Sequence, residues 1–281
     1  MNTYFLTFSI IFYALASAAL VRRATSRLSA NTGHKPEFWV LGLGAVLTHG
    51  VLLYNGIFTR YGIDLEVFKA LSMVGWLMAI AILVAAIKQP VEYLALILFP
   101  LAIFVIVLDF LLAPELGPAL HSTNLLDKSA RIASQPWQLK VHIFVSIVAY
   151  SILSIALIQS VLLAIQDKLL HNHRPNGLIR LLPPLQVMEN LFFKIVTIGF
   201  ILLTVGLVIG ISFVKDIAAQ HLIHKTVLSI IAWILFGVLL WGHWQYGWRG
   251  KFAIRWVIAG FIALMLGFIG TKTVLELILN R

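Results

Sequence analysis

From Val141 to Gln166 the chain runs without a single Asp, Glu, Lys or Arg, and from Ile195 to Val214 it does so again. A helix needs about 20 largely apolar residues to cross the hydrocarbon core of a bilayer. Runs of that kind recur along the sequence at 4–21, 38–57, 68–87, 91–112, 141–166, 190–213, 225–243 and 252–275. They are long and continuous, without the short alternating segments of an outer-membrane barrel. The expected fold is therefore an all-α integral membrane protein, a bundle of about eight transmembrane helices. Of the 281 residues only 11% are charged, whereas a soluble domain carries roughly 25%. No part reads as a soluble catalytic domain, and residues 1–281 are expected to form a single polytopic membrane domain.

A formal charge of +10 raises the question of nucleic acid. The cations argue against it, because they sit in short clusters between apolar runs and form no stripe that follows a phosphate backbone. The lipid bilayer is the expected partner instead. The chain contains no cysteine, which removes thiolate ligands, disulfides and thiol redox chemistry.

The third and fourth spans are separated only by Lys88, Gln89 and Pro90, which predicts a tight helical hairpin. Two connections are longer. Residues 113–140 hold Pro114, Pro118 and Pro136, and are expected to cover the outer mouth of the bundle; residues 167–189 hold Pro175, Pro183 and Pro184. The first span has no basic residue ahead of it, and Arg22, Arg23 and Arg27 follow it. That order is the reverse of a signal peptide, so an uncleaved helix is expected. The dense clusters at 22–27 and at Arg249, Lys251 and Arg255 both fall inside if the amino terminus is outside, which places both termini outside.

Polar groups within apolar spans are candidates for function. His34, His121, His171 and His173 lie in loops and read as solvated. Five histidines remain: His49, His142, His221, His224 and His243. His142 opens the fifth span at the outer surface, level with His224, which His221 precedes by three residues. His243 closes the seventh span on the inner side, roughly 28 Å from His224 along the helix axis. Those two cannot share a metal, whereas His142 and His224 share a depth. His49 lies near mid-membrane.

Two neutral imidazoles facing across a pocket suit a haem iron as axial ligands. Trp137, Lys140, Phe144, Tyr150, Lys225 and Trp233 offer apolar walls, aromatic neighbours and cations at that end. A histidine at a helix end also serves as an interfacial residue or a cap, and spacing alone does not separate these roles. His142, Ser146 and Tyr150 recur at i, i+4 and i+8, a polar stripe expected to face the bundle interior. Asp109 reads as a partner for a lysine or for a histidine tautomer, or as an interface anchor; Glu92 and Glu189 read as caps at helix starts.

Three stretches together carry a resemblance: VHIFVSIVAYSILSIALIQSVLL, PPLQVMENLFFKIVTIGFILLTVGLVIG and HKTVLSIIAWILFGVLLWGHWQYGWRGKFA. In that order, over about residues 137–275, they resemble the haem-handling cytochrome c assembly membrane proteins, the CcsA- and CcmC-like family. The resemblance implies a helical bundle that takes haem and presents it at the outer face for attachment to apocytochrome c. It matches His142 to an external histidine and His243 to a transmembrane one. The family's tryptophan-rich loop is missing before residue 224, where VKDIAAQHLIHKT places His221 and His224, and no second external histidine follows the last span before Arg281. This is the pattern of the shorter YpjD-like and HemX-like branch. It implies haem as cofactor, other cytochrome-assembly membrane proteins as partners, and a bacterial-type inner membrane. Together with the shared depth and the polar stripe, it makes His142 and His224 the expected axial ligands, with His221, His243 and His49 as further haem-binding candidates. Haem delivery or an accessory role is expected rather than catalysis.

Two other classes fit the composition. A small-solute transporter would show inverted repeats and broken helices; no repeat is visible, and Pro100 is the one proline well inside a span. A cofactor-free accessory subunit would use Gly199, Gly206 and Gly210 for close helix contact. The topology is directly testable. A reporter active only in the cytoplasm and fused after Arg281 is expected to stay silent, and strong signal there would mean an odd number of spans or an inverted bundle.

Overall fold

The computed structural model describes residues 2–26, 36–59, 62, 63, 65, 67–120, 137–171, 182–213 and 223–273. Eight helices among these residues are long and apolar enough to cross a membrane, and the protein is an all-α integral membrane bundle. By its contacts the chain falls into two compact units, residues 1–135 and 136–281.

The first unit contains α1 (Asn2–Ser26), α2 (Pro36–Ile57), α3 (Val67–Ala86) and α4 (Glu92–Leu120). A two-residue hairpin, β1 (Phe58–Thr59) with β2 (Gly62–Ile63), lies between α2 and α3 and pairs Phe58 with Ile63. Each helix packs on its neighbours in sequence, and α1 closes the ring against α4. The packing is antiparallel: along α1, Ser9 meets Thr48, Tyr13 meets His49 and Arg22 meets Glu37. Between α3 and α4 the expected hairpin is present. The amides of Lys88 and Gln89 both donate to Ala85 O, and Pro90 stands two residues before α4 begins.

The second unit contains α5 (Trp137–His171), α6 (Leu185–Phe213), α7 (Ile223–Tyr246) and α8 (Gly250–Thr273). Its neighbour scheme is the same, with α5 closing against α8. That scheme is expected of any up-and-down four-helix bundle. The turn between α7 and α8 depends on Gly247, whose φ of +65° puts the backbone in the left-handed region that a side chain resists. Gly247 N–H donates to His243 O at 3.0 Å and Trp248 N–H to Gly242 O at 3.3 Å. The indole of Trp248 thereby folds back over Gly242, where any Cβ would collide with it.

Several helices run past the expected spans. α5 has 35 residues, about 52 Å of helix, and its extra turns hold Gln138, Lys140, Asp167 and Lys168. Polar residues of this kind end a membrane span without ending a helix. α4 continues through Pro114 and Pro118 to Leu120, where an irregular connection was expected. A proline removes its own hydrogen bond, but the surrounding Leu111, Leu112, Ala113 and Leu116 are strong helix formers. Of the proposed outer cover, residues 121–136 lie outside the described residues.

Close approach between helices rests on small residues. A Cβ added at Gly199 of α6 would stand 2.5 Å from Leu153 Cδ2 of α5, whereas one at Gly56 of α2 meets nothing within 4 Å. The two sites predict opposite outcomes in thermal unfolding of the detergent-solubilised protein. Gly199→Leu should destabilise by about 1–3 kcal/mol through overpacking. Gly56→Ala should be neutral or stabilise by up to about 1 kcal/mol, since glycine is costly within a helix.

Candidate functional site

His142 stands in the second turn of α5, half-buried. Its Nδ1 lies 2.8 Å from Gly206 O of α6. A carbonyl only accepts, so Nδ1 carries the proton in this contact and Nε2 is left with its lone pair. Metal-bound histidines are commonly held in this way by a backbone carbonyl. The fit depends on α6 lacking side chains here: a Cβ on Gly210 would come within 2.7 Å of His142 Cε1, and one on Gly206 would touch Ser146 Oγ at 3.4 Å. Gly206 and Gly210 form a notch for the imidazole. The polar stripe on α5 does face the interior of its unit, but it divides between two neighbours. His142 and Ser146 meet α6, while Tyr150 donates its hydroxyl to Leu264 O of α8 at 3.2 Å.

His243, near the end of α7, shows the same half-engaged state. Its Nδ1 donates to Trp248 O at 2.9 Å, and its ring stacks on Phe193 at 3.4 Å with an 11° tilt. Helix α7 puts His224 in its first turn and His243 in its last, so the two stand at opposite ends, as their spacing predicts. α5 and α7 run in the same direction on opposite corners of the unit, which places the backbones of His142 and His224 at one end of it. The side chain of His224, and all of His221, lie outside the described residues.

His49 differs. It is fully buried in the first unit, with Nδ1 3.2 Å from Tyr13 Oη and Nε2 3.1 Å from Ser72 Oγ. Both nitrogens are engaged by hydroxyls from α1 and α3, and Tyr13 packs edge-on against the ring. For His49 to bind a metal, one of these bonds must first be given up. Of the loop histidines, His171 is exposed at the end of α5; His34, His121 and His173 lie outside the described residues.

The acidic residues pair locally. Glu92, in the first turn of α4, meets Arg23 of α1 at 2.7 Å with both groups partly buried. Glu189 caps a different helix from its own, accepting from Gly250 N–H at the start of α8 at 3.2 Å. Carboxylates thus set neither the His142 nor the His243 tautomer; backbone carbonyls do. Trp137 and Phe144 are more than half exposed, and Trp233 donates its indole N–H to Thr204 while stacking on Phe200. A cavity of about 20 Å³ bordered by Asp167, Glu189, Phe193 and Gly250 has room for one water.

Sequence reasoning missed the residues that hold the imidazoles. Gly206 and Trp248 contribute backbone oxygen, which no side chain advertises. The four-residue spacing of Gly206 and Gly210 was the one legible signal of a close approach. Among the described residues no three His, Asp or Glu converge on a point.

Residues 40–279 match the family described as Cytochrome C assembly protein. The chain is 38% identical over 138 residues to the inner membrane protein YpjD of Escherichia coli (strain K12), covering 49% of this chain and 52% of that one. It is 24% identical over 137 residues to protein HemX of Brevibacillus brevis, covering 48% and 50%. It is 26% identical over 87 residues to cytochrome c biogenesis protein CcsA of Cyanophora paradoxa, covering 30% and 27%. The chain thus spans about half the length of the first two of these relatives. No solved structure matches. With the family matched from the second helix to the last, the chain belongs to the Cytochrome C assembly protein family.

Proposed function

We propose that this protein handles haem for cytochrome c assembly in a bacterial-type inner membrane, holding it through His142 near the outer face. The observation that carries the reading is the contact of His142 Nδ1 with Gly206 O at 2.8 Å. It fixes the tautomer, orients the ring and leaves Nε2 as a lone-pair donor, the state an axial ligand requires. His224, on a helix that starts at the same end of the unit, is the proposed second ligand, with His221 in reserve. His243 and His49 serve separate roles, His243 because a full helix length divides it from His224, and His49 because both of its nitrogens are engaged. The names of relatives such as CcsA, a cytochrome c biogenesis protein, support the assembly role. A bound haem would supply the iron; the chain supplies the imidazoles, their orientation and an apolar surround. The expected task is delivery or relay, with both termini outside.

Purified protein supplied with haem is expected to show a Soret band. His142→Ala should abolish haem retention or reduce it at least about tenfold, the scale on which lost ligands and their supports weaken metal sites. Gly210→Leu should do the same by displacing the ring, while His171→Ala should leave retention unchanged. His224→Ala should convert a six-coordinate low-spin spectrum to a five-coordinate one, and added imidazole should restore it. A His142→Ala protein with full haem content and an unchanged spectrum would overturn the assignment. Absence of any Soret band in the unaltered protein would overturn haem binding itself.

A further inference from the structure

The α7–α8 end of the second unit carries two adjoining stripes, one of which begins at Trp248 of the α7–α8 turn. One is aromatic. Trp248 meets Phe252 edge-on with centroids 4.5 Å apart and stacks near Trp256 at 5.8 Å; Phe252 and Trp256 lie 6.1 Å apart. Tyr246 extends the stack, 6.2 Å from Trp248 and tilted by 24°. The other stripe is basic. Lys251 and Arg255 are one turn apart on α8, Arg249 precedes the helix, and all three are exposed. Lys251 reaches Asp167 only at 3.8 Å, with both groups open to solvent. Among the described residues Arg249 and Arg255 take part in no ion pair.

We propose that this surface binds an anionic phospholipid, with its phosphate on Arg249, Lys251 and Arg255 and the upper acyl chain along the aromatic ladder. Charge complementarity selects the occupant. Aromatic residues alone would anchor the protein at an interface beside any lipid, but three neighbouring cations next to an apolar face favour a headgroup with net negative charge. The nearby carboxylates are two, Glu189 on Gly250 N–H and Asp167 at 3.8 Å from Lys251, so the three cations outnumber them. The rings of Trp248, Phe252 and Trp256 lie 4.5 to 6.1 Å from one another, with Tyr246 beside them, a compact apolar platform for the first carbons of a chain. A free phosphate would use the cations and gain nothing from the rings.

The test is native mass spectrometry of the full chain in detergent, titrated with phosphatidylglycerol or phosphatidylcholine. Phosphatidylglycerol is expected to bind at least about tenfold more tightly. Joint replacement R249A, K251A and R255A should abolish that preference, and Trp256→Leu should weaken both lipids. Lys194→Ala, which removes an exposed cation outside the two stripes, should change neither. Inorganic phosphate at millimolar concentration should fail to displace the lipid. Equal affinity for the two lipids, full competition by phosphate, or a preference that survives the triple replacement would each overturn the proposal. If the triple variant does not fold, the lipid preference and phosphate competition of the unaltered protein still decide the matter.

Discussion

Inside a bilayer no water is present to satisfy a backbone amide or carbonyl, and everything else in this protein follows from that scarcity. Each helix closes its own hydrogen bonds. Most hydroxyls then turn back onto their own helix: Ser9 to Phe5 O, Ser17 to Tyr13 O, Ser151 to Ile147 O, Thr197 to Phe193 O and Thr204 to Phe200 O. Few polar groups remain to cross between helices. Those that do become the specific fasteners of each unit: Trp76 to Val46 O in the first, Gln159 to Met188 O and Gln166 to Pro183 O in the second. Oily surfaces alone would allow neighbouring helices to slide, so these bonds fix register where packing is least selective.

The histidines illustrate two ways of spending such a bond. His49 is saturated, with a hydroxyl on each nitrogen, and it ties α1, α2 and α3 together as a structural rivet. His142 and His243 each give one nitrogen to a backbone carbonyl and keep the other. A carbonyl is the economical anchor, because it belongs to a neighbouring helix or turn that is already rigid and adds no ionisable group to the membrane. The chemistry proposed for His142 thus depends on residues with no functional group of their own.

Much of the architecture was legible because lipid imposes so strict a pattern. Uninterrupted runs such as 141–166 predict helices, and Lys88-Gln89-Pro90 predicts the hairpin. The separation of His224 from His243 follows from helical rise, and the inward turn of His142 from its spacing with Ser146 and Tyr150. The remainder was hidden for identifiable reasons. The partners of His49 come from two other helices, at positions Tyr13 and Ser72 that no local spacing links. The Gly206 and Trp248 contacts use main-chain oxygen, which every residue has. The continuation of α4 beyond Pro114 was obscured because proline signals a break far more strongly than its single lost bond enforces one.

The length of α5 couples the protein to the thickness of its membrane. Its uncharged stretch from Val141 to Gln166 is about 39 Å of helix, against roughly 30 Å of hydrocarbon. The excess must be absorbed by tilting, by local thickening of the lipid or by burial of the ends within protein, each at modest cost per ångström. The two ends of that stretch are not equivalent. Gln166 is tied to Pro183 O, whereas His142 is held in the Gly206–Gly210 notch. Because α5 and α6 are fastened at both ends they must tilt as a pair, so a thicker or thinner bilayer would change the immersion of the imidazole without disturbing the contact that orients it.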